Sequence, residues 1–238
     1  MSSGDGSGLL MRSGALPEAL SGTLFADRVH CRDVVTSTID ECRALADAGA
    51  PEGTVVLALA QEQGRGQRGN RWFSPPHSGL YLSALLRPAL PLEGLPGLPL
   101  MAGIAACEAL REDFAVDAWL KSPNDLLVPL AGTWRKVGGL LVDTAVQGGR
   151  LRHVIVSLGL NCRVPRAGYP ADVRGLAASL DDAGATTIPD AVAAAFLVRL
   201  ARARSMMDAP CGAWLADVER RHEALARDAK AGEQVEDA

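Results

Sequence analysis

The 238-residue chain lacks any C-x-x-C pair: its five cysteines, Cys31, Cys42, Cys107, Cys162 and Cys211, are scattered and odd in number. That spacing argues against a disulfide framework and suits a reducing cytoplasm, where buried thiols stay inert. The four histidines, His30, His77, His153 and His222, show neither H-E-x-x-H nor Cys/His ligand spacing, which speaks against structural zinc. There is no uncharged apolar run of about 18 residues, and no basic stretch leading into an apolar one. Neither a membrane span nor a signal peptide is therefore expected, and the chain reads as cytoplasmic. Basic excess is missing too: Lys and Arg number 24 against 28 Asp and Glu, a net charge of −4. That balance argues against binding of nucleic acid through bulk charge, although basic residues cluster in one loop, and no DNA partner is implied. No internal repeat occurs at periods of about 20 to 50 residues.

What is present is apolar content of 48%, enough for the core of one ordinary domain. Residues 1–30 read as an N-terminal arm, mobile over the Gly/Ser-rich Met1 to Gly14, and 31–238 as a catalytic-sized domain. A short strand at Val34–Thr38 gives way to an Ala-rich helix that Gly49 and Pro51 end; Thr38 with Glu41 has the form of a capping box. Apolar runs at Thr54–Ala60 and Leu80–Leu86 read as two strands bracketing a loop like a wide hairpin. A helix over Leu100–Leu110, a strand at Ala118–Lys121, extended structure at Leu126–Val128 and a hairpin tip at Ala131–Arg135 follow. Lys136–Thr144 and Arg152–Asn161 are strands joined through Gln147–Arg150. Beyond an irregular stretch, Ile188–Met207 is helical with Thr187 as N-cap, and Ala213–Ala226 is a charged amphipathic helix before a polar, frayed end from Lys230.

The bracketed loop, Gln61 to Trp72, carries Gly64, Arg65, Gly66, Gln67, Arg68 and Gly69. Glycines let backbone N–H groups approach a ligand closely, and guanidinium groups pair with carboxylate or phosphate, so this loop suits a small anion. It also matches G-x-G-x-x-G, but Pro75 and Pro76 bar the helix that a dinucleotide fold requires, and no carboxylate follows at the ribose-binding distance. Lys121-Ser122-Pro123-Asn124-Asp125 gathers a lysine, an amide and a carboxylate at a strand break. Gly138 and Gly139 sit inside a strand, where they weaken it unless another group approaches the backbone.

In combination these segments resemble the biotin protein ligases: Ser37-Thr38 at a helix start, the glycine-arginine loop, Lys121 to Asp125, Lys136 to Gly139, and Ser157 to Asn161. The resemblance covers about Val34 to Asn161 closely, and Leu176 to Leu180 with the following helices more loosely. It implies an α+β fold, a mixed and mostly antiparallel sheet flanked by helices, of the class II synthetase-like biotin/lipoate ligase type. It implies ATP and Mg²⁺ as cofactors, biotin as substrate, a biotin carrier protein domain as acceptor, and a biotinyl-adenylate intermediate. A homodimer through an exposed sheet edge is common in the family. Carried over position by position, Ser37, Thr38, Gln61, Gly64, Arg65, Gly138, Gly139 and Ser157 would bind the acid. Gly66, Gln67, Arg68, Gly69, Trp72, Lys121, Asn124 and Asn161 would meet the nucleotide. Lys136, Arg65 and Asp125 would be catalytic, with Asp125 also on the metal.

Four positions depart from the family pattern. Gln67 stands where arginine is usual, removing a permanent charge from the loop, and Ser122 replaces a tryptophan. Ile39 stands where a polar residue often follows the Ser-Thr pair, and Ser157 where glycine is common. The chain reads as ending without the small C-terminal β-barrel and beginning without the N-terminal winged helix of the family. Two rival readings follow from the departures: an adenylating ligase of the same fold for another carboxylic acid, and a biotin-binding module without turnover. Lipoate ligase proper is disfavoured because the Arg-Arg-x-x-Gly-Gly-Gly loop of that group is absent.

Overall fold

The structure, a computed structural model, describes residues 15–236. The arm expected over Met1 to Gly14 lies outside the described residues. Seven strands form one sheet in the order β1-β2-β3-β7-β6-β5-β4. They are β1 (Val29–Val35), β2 (Val55–Gln61), β3 (Gly79–Leu86), β4 (Trp119–Lys121), β5 (Asp125–Leu130), β6 (Thr133–Gln147) and β7 (Arg150–Asn161). Only β1 and β2 run parallel, so the expected mixed, mostly antiparallel sheet is what the chain forms.

Alternation along the strands divides the sheet into two faces. Leu57, Leu80, Leu82, Val156 and Leu158 point to a main core closed by helices α3 (Gly97–Phe114), α4 (Pro189–Met206) and α5 (Cys211–Glu236). Val56, Leu85 and Ile155 point the other way, against Ile39, Cys42 and Ala46 of α2 (Thr38–Asp47). This single ten-residue helix covers only part of its face. The uncovered remainder, over β3, β7 and β6, is where the glycine-arginine loop lies.

The sheet's last strands explain how a lysine reaches that face. Leu126 of β5 pairs with Gly138 while Leu127 pairs with Lys136, so β6 carries one extra residue, a bulge at Val137. Val137 and Gly138 both turn to the main core, which puts Lys136 on the same face as Gly139. Without the bulge the period of two would aim Lys136 into the core.

Several local expectations change. The core begins before residue 31, because Leu16, Leu20 and Phe25, in and after the short helix α1 (Ala15–Ala19), are buried in it. Ser37 rather than Thr38 is the N-cap of α2, with extended backbone and no capping side-chain bond. The capping box does not form, because the Thr38 hydroxyl bonds to Gln61 and Glu41 pairs with Arg32 at 3.1 Å. Likewise Ile188, not Thr187, caps α4. The final helix continues to Glu236 instead of fraying from Lys230. Among the described residues, no helix is long and apolar enough to cross a membrane.

Candidate active site

The open face is floored by Ser83 of β3 and Ser157 of β7, which stand opposite each other in the register. Their hydroxyl oxygens are 2.8 Å apart. Ser83 donates to Thr38 Oγ1 at 2.9 Å, and Thr38 donates from both its backbone N–H (2.8 Å) and its hydroxyl (3.2 Å) to Gln61 Oε1. From Gln61 the chain of bonds continues outward: Nε2 donates to Ser74 Oγ at 2.8 Å, which donates to the Trp72 carbonyl at 3.1 Å. The relay thus ties the sheet floor to the far end of the glycine-arginine loop. Gly64 is required where it sits, since a Cβ there would lie 2.5 Å from the Trp72 carbonyl oxygen.

The loop is also held by charge. Arg65 reaches across to Asp40 at the start of α2, with guanidinium nitrogens 2.8 and 2.9 Å from Oδ2. Asp40 also accepts from Arg43 at 2.7 Å, and Arg43 grips Asp143 of β6 at 2.8 Å. Both carboxylates raise the pKa of the Arg43 guanidinium, the bond to Asp143 contributing most. At the opposite wall Lys136 Nζ is 2.6 Å from Asp125 Oδ1 and 5.6 Å from the centre of the Trp72 ring. Asn124 lies beside this pair, its amide 3.3 Å from Asp125.

Three cavities meet around these groups. A narrow cleft of about 50 Å³ is lined by Ser37, Thr38, Gln61, Lys136, Gly139 and Ser157, among others. A groove of about 870 Å³ runs past Trp72, Phe73, Asn161, Tyr169 and Leu176. Gln61, Trp72 and Lys136 line both, so they stand at the junction. A third, of about 730 Å³, lies between the loop and the Arg43–Asp143 pair and takes in Gly64, Arg65, Gly66 and Gly69. Burial holds the Tyr169 phenol neutral by pushing its pKa up to about 12. The Trp72 indole N–H is buried and meets no acceptor among the described residues.

Most of the residues selected from sequence converge here, and three do not. Gly138 turns to the main core, where an added Cβ would lie 2.8 Å from Leu160 Cδ1; packing, not ligand approach, explains that glycine. Arg68, at φ 57° in a tight turn, lines none of the three cavities, and neither does exposed Lys121 at the end of β4. Asn161 borders the groove, but its amide also donates to the Ala178 carbonyl at 3.0 Å, fastening the irregular segment that forms the groove's outer wall. Asp40, Ser74 and Ser83 join the site without belonging to any motif in the sequence. Ser83 left a faint signal as the one serine within the apolar run Leu80–Leu86.

The fold and the convergent groups define a class of protein, one with a mixed sheet whose open face carries a cleft closed over by a glycine-arginine loop. The chain belongs to the Biotin/lipoate A/B protein ligase family, whose model matches residues 31–161. Among its relatives is the bifunctional ligase/repressor BirA of Bacillus subtilis, 31% identical over 185 residues, covering 76% of this chain and 56% of that one. The chain therefore spans little more than half the length of this relative. A biotin protein ligase from Aquifex aeolicus, solved in complex with biotin and ATP, is 28% identical with a TM-score of 0.59 over 74% of this chain and 69% of that one. A biotin protein ligase from Leishmania major, solved with biotin, shares the fold at a TM-score of 0.67 and 24% identity, covering 84% and 81% of the two chains.

Proposed function

We propose that this chain is an ATP-dependent biotin–protein ligase. It activates biotin as biotinyl-adenylate and passes the acyl group to a lysine of a biotin carrier domain. The observation that carries the reading is the position of Lys136 where the narrow cleft meets the groove, with Gln61 and Trp72 at the same junction. The cleft takes the acid and the groove takes the nucleotide, so carboxylate and α-phosphate meet at Lys136.

A carboxylate and a polyphosphate repel each other, so the protein must hold two anions in line and offset the charge that develops between them. Lys136 supplies that charge from the strand side and Arg65 from the loop side. The biotin carboxylate oxygen attacks the α-phosphorus, the bond to the β-phosphate breaks, and pyrophosphate leaves with the electron pair. In the second step the neutral lysine amine of the carrier attacks the acyl carbon, AMP leaves, and the amine loses a proton. Trp72 and Leu176 give the groove apolar surface suited to a base.

The donors present suit Mg²⁺ held jointly with phosphate oxygens. Asp125 offers one carboxylate beside Asn124, whereas among the described residues no group of three His, Cys, Asp or Glu side chains could hold a metal alone. Such an ion would offset charge on the phosphates.

Biotin-dependent exchange of labelled pyrophosphate into ATP tests the reading. Exchange with biotin is expected, and its loss in Lys136→Ala with the fold intact. Exchange only with another carboxylic acid would overturn the substrate, and biotin binding without any exchange would overturn the activity.

A further inference from the structure

The relay across the cleft has a fixed direction, and its end lines the cleft. The Thr38 backbone N–H can only donate, so the Gln61 atom it meets at 2.8 Å must be the amide oxygen. That oxygen can only accept, so the Thr38 hydroxyl, 3.2 Å away, gives its proton to it. With that proton engaged, Thr38 Oγ1 receives the Ser83 hydroxyl at 2.9 Å. Ser83 then has no proton left for its 2.8 Å contact with Ser157, so Ser157 donates to Ser83. Every hydroxyl in the series is spent inward. Ser157 alone of the two floor serines lines the cleft, and it turns only lone pairs to it.

We infer that Ser157 is a specificity-determining residue, an obligate acceptor that selects acids carrying an N–H donor at the deep end of the cleft. The inference rests on the proposed ligase function and sharpens its substrate class. The cyclic urea of biotin carries two N–H donors that can meet an acceptor. A dithiolane acid such as lipoate has none, and its sulfurs set lone pairs against those of Ser157. The family covers both acids by name. The relay starts at Gln61, beside the glycine-arginine loop, so the polarity of the floor is set by the residue that also borders the nucleotide groove.

The test uses biotin and its two cyclic carbamate analogues, in each of which one ureido N–H is replaced by an oxygen of nearly the same size. Pyrophosphate exchange is measured with the wild type and with Ser157→Ala. One analogue is expected to lose on the order of tenfold or more in kcat/KM against biotin on the wild type, the size of a lost hydrogen bond plus a lone-pair clash. Ser157→Ala should shrink that ratio to within about twofold while leaving the KM for ATP unchanged, a pattern that loss of structure does not produce. If Ser157→Ala does not fold, Ser157→Gly is read in its place. Equal discrimination by wild type and variant, or none by the wild type, overturns the inference. Absence of biotin-dependent exchange on the wild type overturns the proposed function instead.

Discussion

Gln67 lines the narrow cleft beside Arg65 and Gly66, at a loop position where the family resemblance leads one to expect arginine. In the proposed ligase reaction a neutral amide there would leave the adenylate with one fewer permanent charge to hold it, and charge-assisted bonds to phosphate are about twice as strong as neutral ones. Arg68 does not make up for it, since the left-handed turn carries that side chain away from all three cavities. Gln67→Arg is therefore expected to slow release of biotinyl-adenylate by roughly tenfold, about one charge-assisted bond, and to reduce labelling of lysines outside the carrier. Quenched-flow measurement of adenylate release from the two proteins checks it. Equal rates would mean that the loop retains the intermediate by other contacts.

The strand β6 shows how one bulge separates two adjacent glycines into different roles. A methyl at Gly138 would press on Leu160 at 2.8 Å and on the Gly159 carbonyl at 2.9 Å, with main-chain atoms that do not yield. A methyl at Gly139 would meet nothing closer than Lys136 Cε at 3.5 Å, an ordinary contact, but it would stand in the cleft. Gly138→Ala is expected to cost about 1–3 kcal/mol of stability by overpacking. Gly139→Ala should unfold at the wild-type urea midpoint yet raise the KM for biotin several-fold. Urea unfolding and exchange kinetics on the pair separate the two, and the reverse pattern would show the bulge to be misplaced. From sequence the two glycines are alike, because a bulge is a property of the partner strand's register. The same limit hid Ser83 and Asp40. Ser83 matters only because β3 lies against β7, a neighbour 74 positions away in the chain, and Asp40 reads as an ordinary first-turn acid until the loop brings Arg65 to it. The loop, Lys136 and the Ser37-Thr38 pair were legible because their residues stand together in contiguous motifs, and the strands because their apolar runs are bounded by turns.

At the scale of the molecule, three of the five thiols are built into packing layers. Cys42 lies between α2 and the sheet, and Cys107 and Cys162 lie in the main core. All three are no more than 1% exposed. Burial, the largest cause in each case, pushes their pKa values up to about 12 from an ordinary 9.0. A folded-state pKa raised above the unfolded one favours the native protein fully below the unfolded value, and that advantage is lost as pH climbs from about 9 toward 12. Between pH 9 and 10 each unfolded thiol gains about 1 kcal/mol by ionising, so the three together should lower stability by roughly 3 kcal/mol. His153 acts at the other end: burial, then Arg87, lower its pKa, so stability is present at neutral pH and declines as pH falls through the usual histidine range. Urea unfolding across this range should give a plateau near neutrality with a steep alkaline edge. Thiol alkylation at pH 8 supplies the independent check. Exposed Cys31 and half-buried Cys211 should react in the native protein, and the other three only at the rate of unfolding. Rapid native reaction of Cys42, Cys107 or Cys162 would show that the packing around it opens without global unfolding, and the alkaline edge would then shrink by that thiol's share.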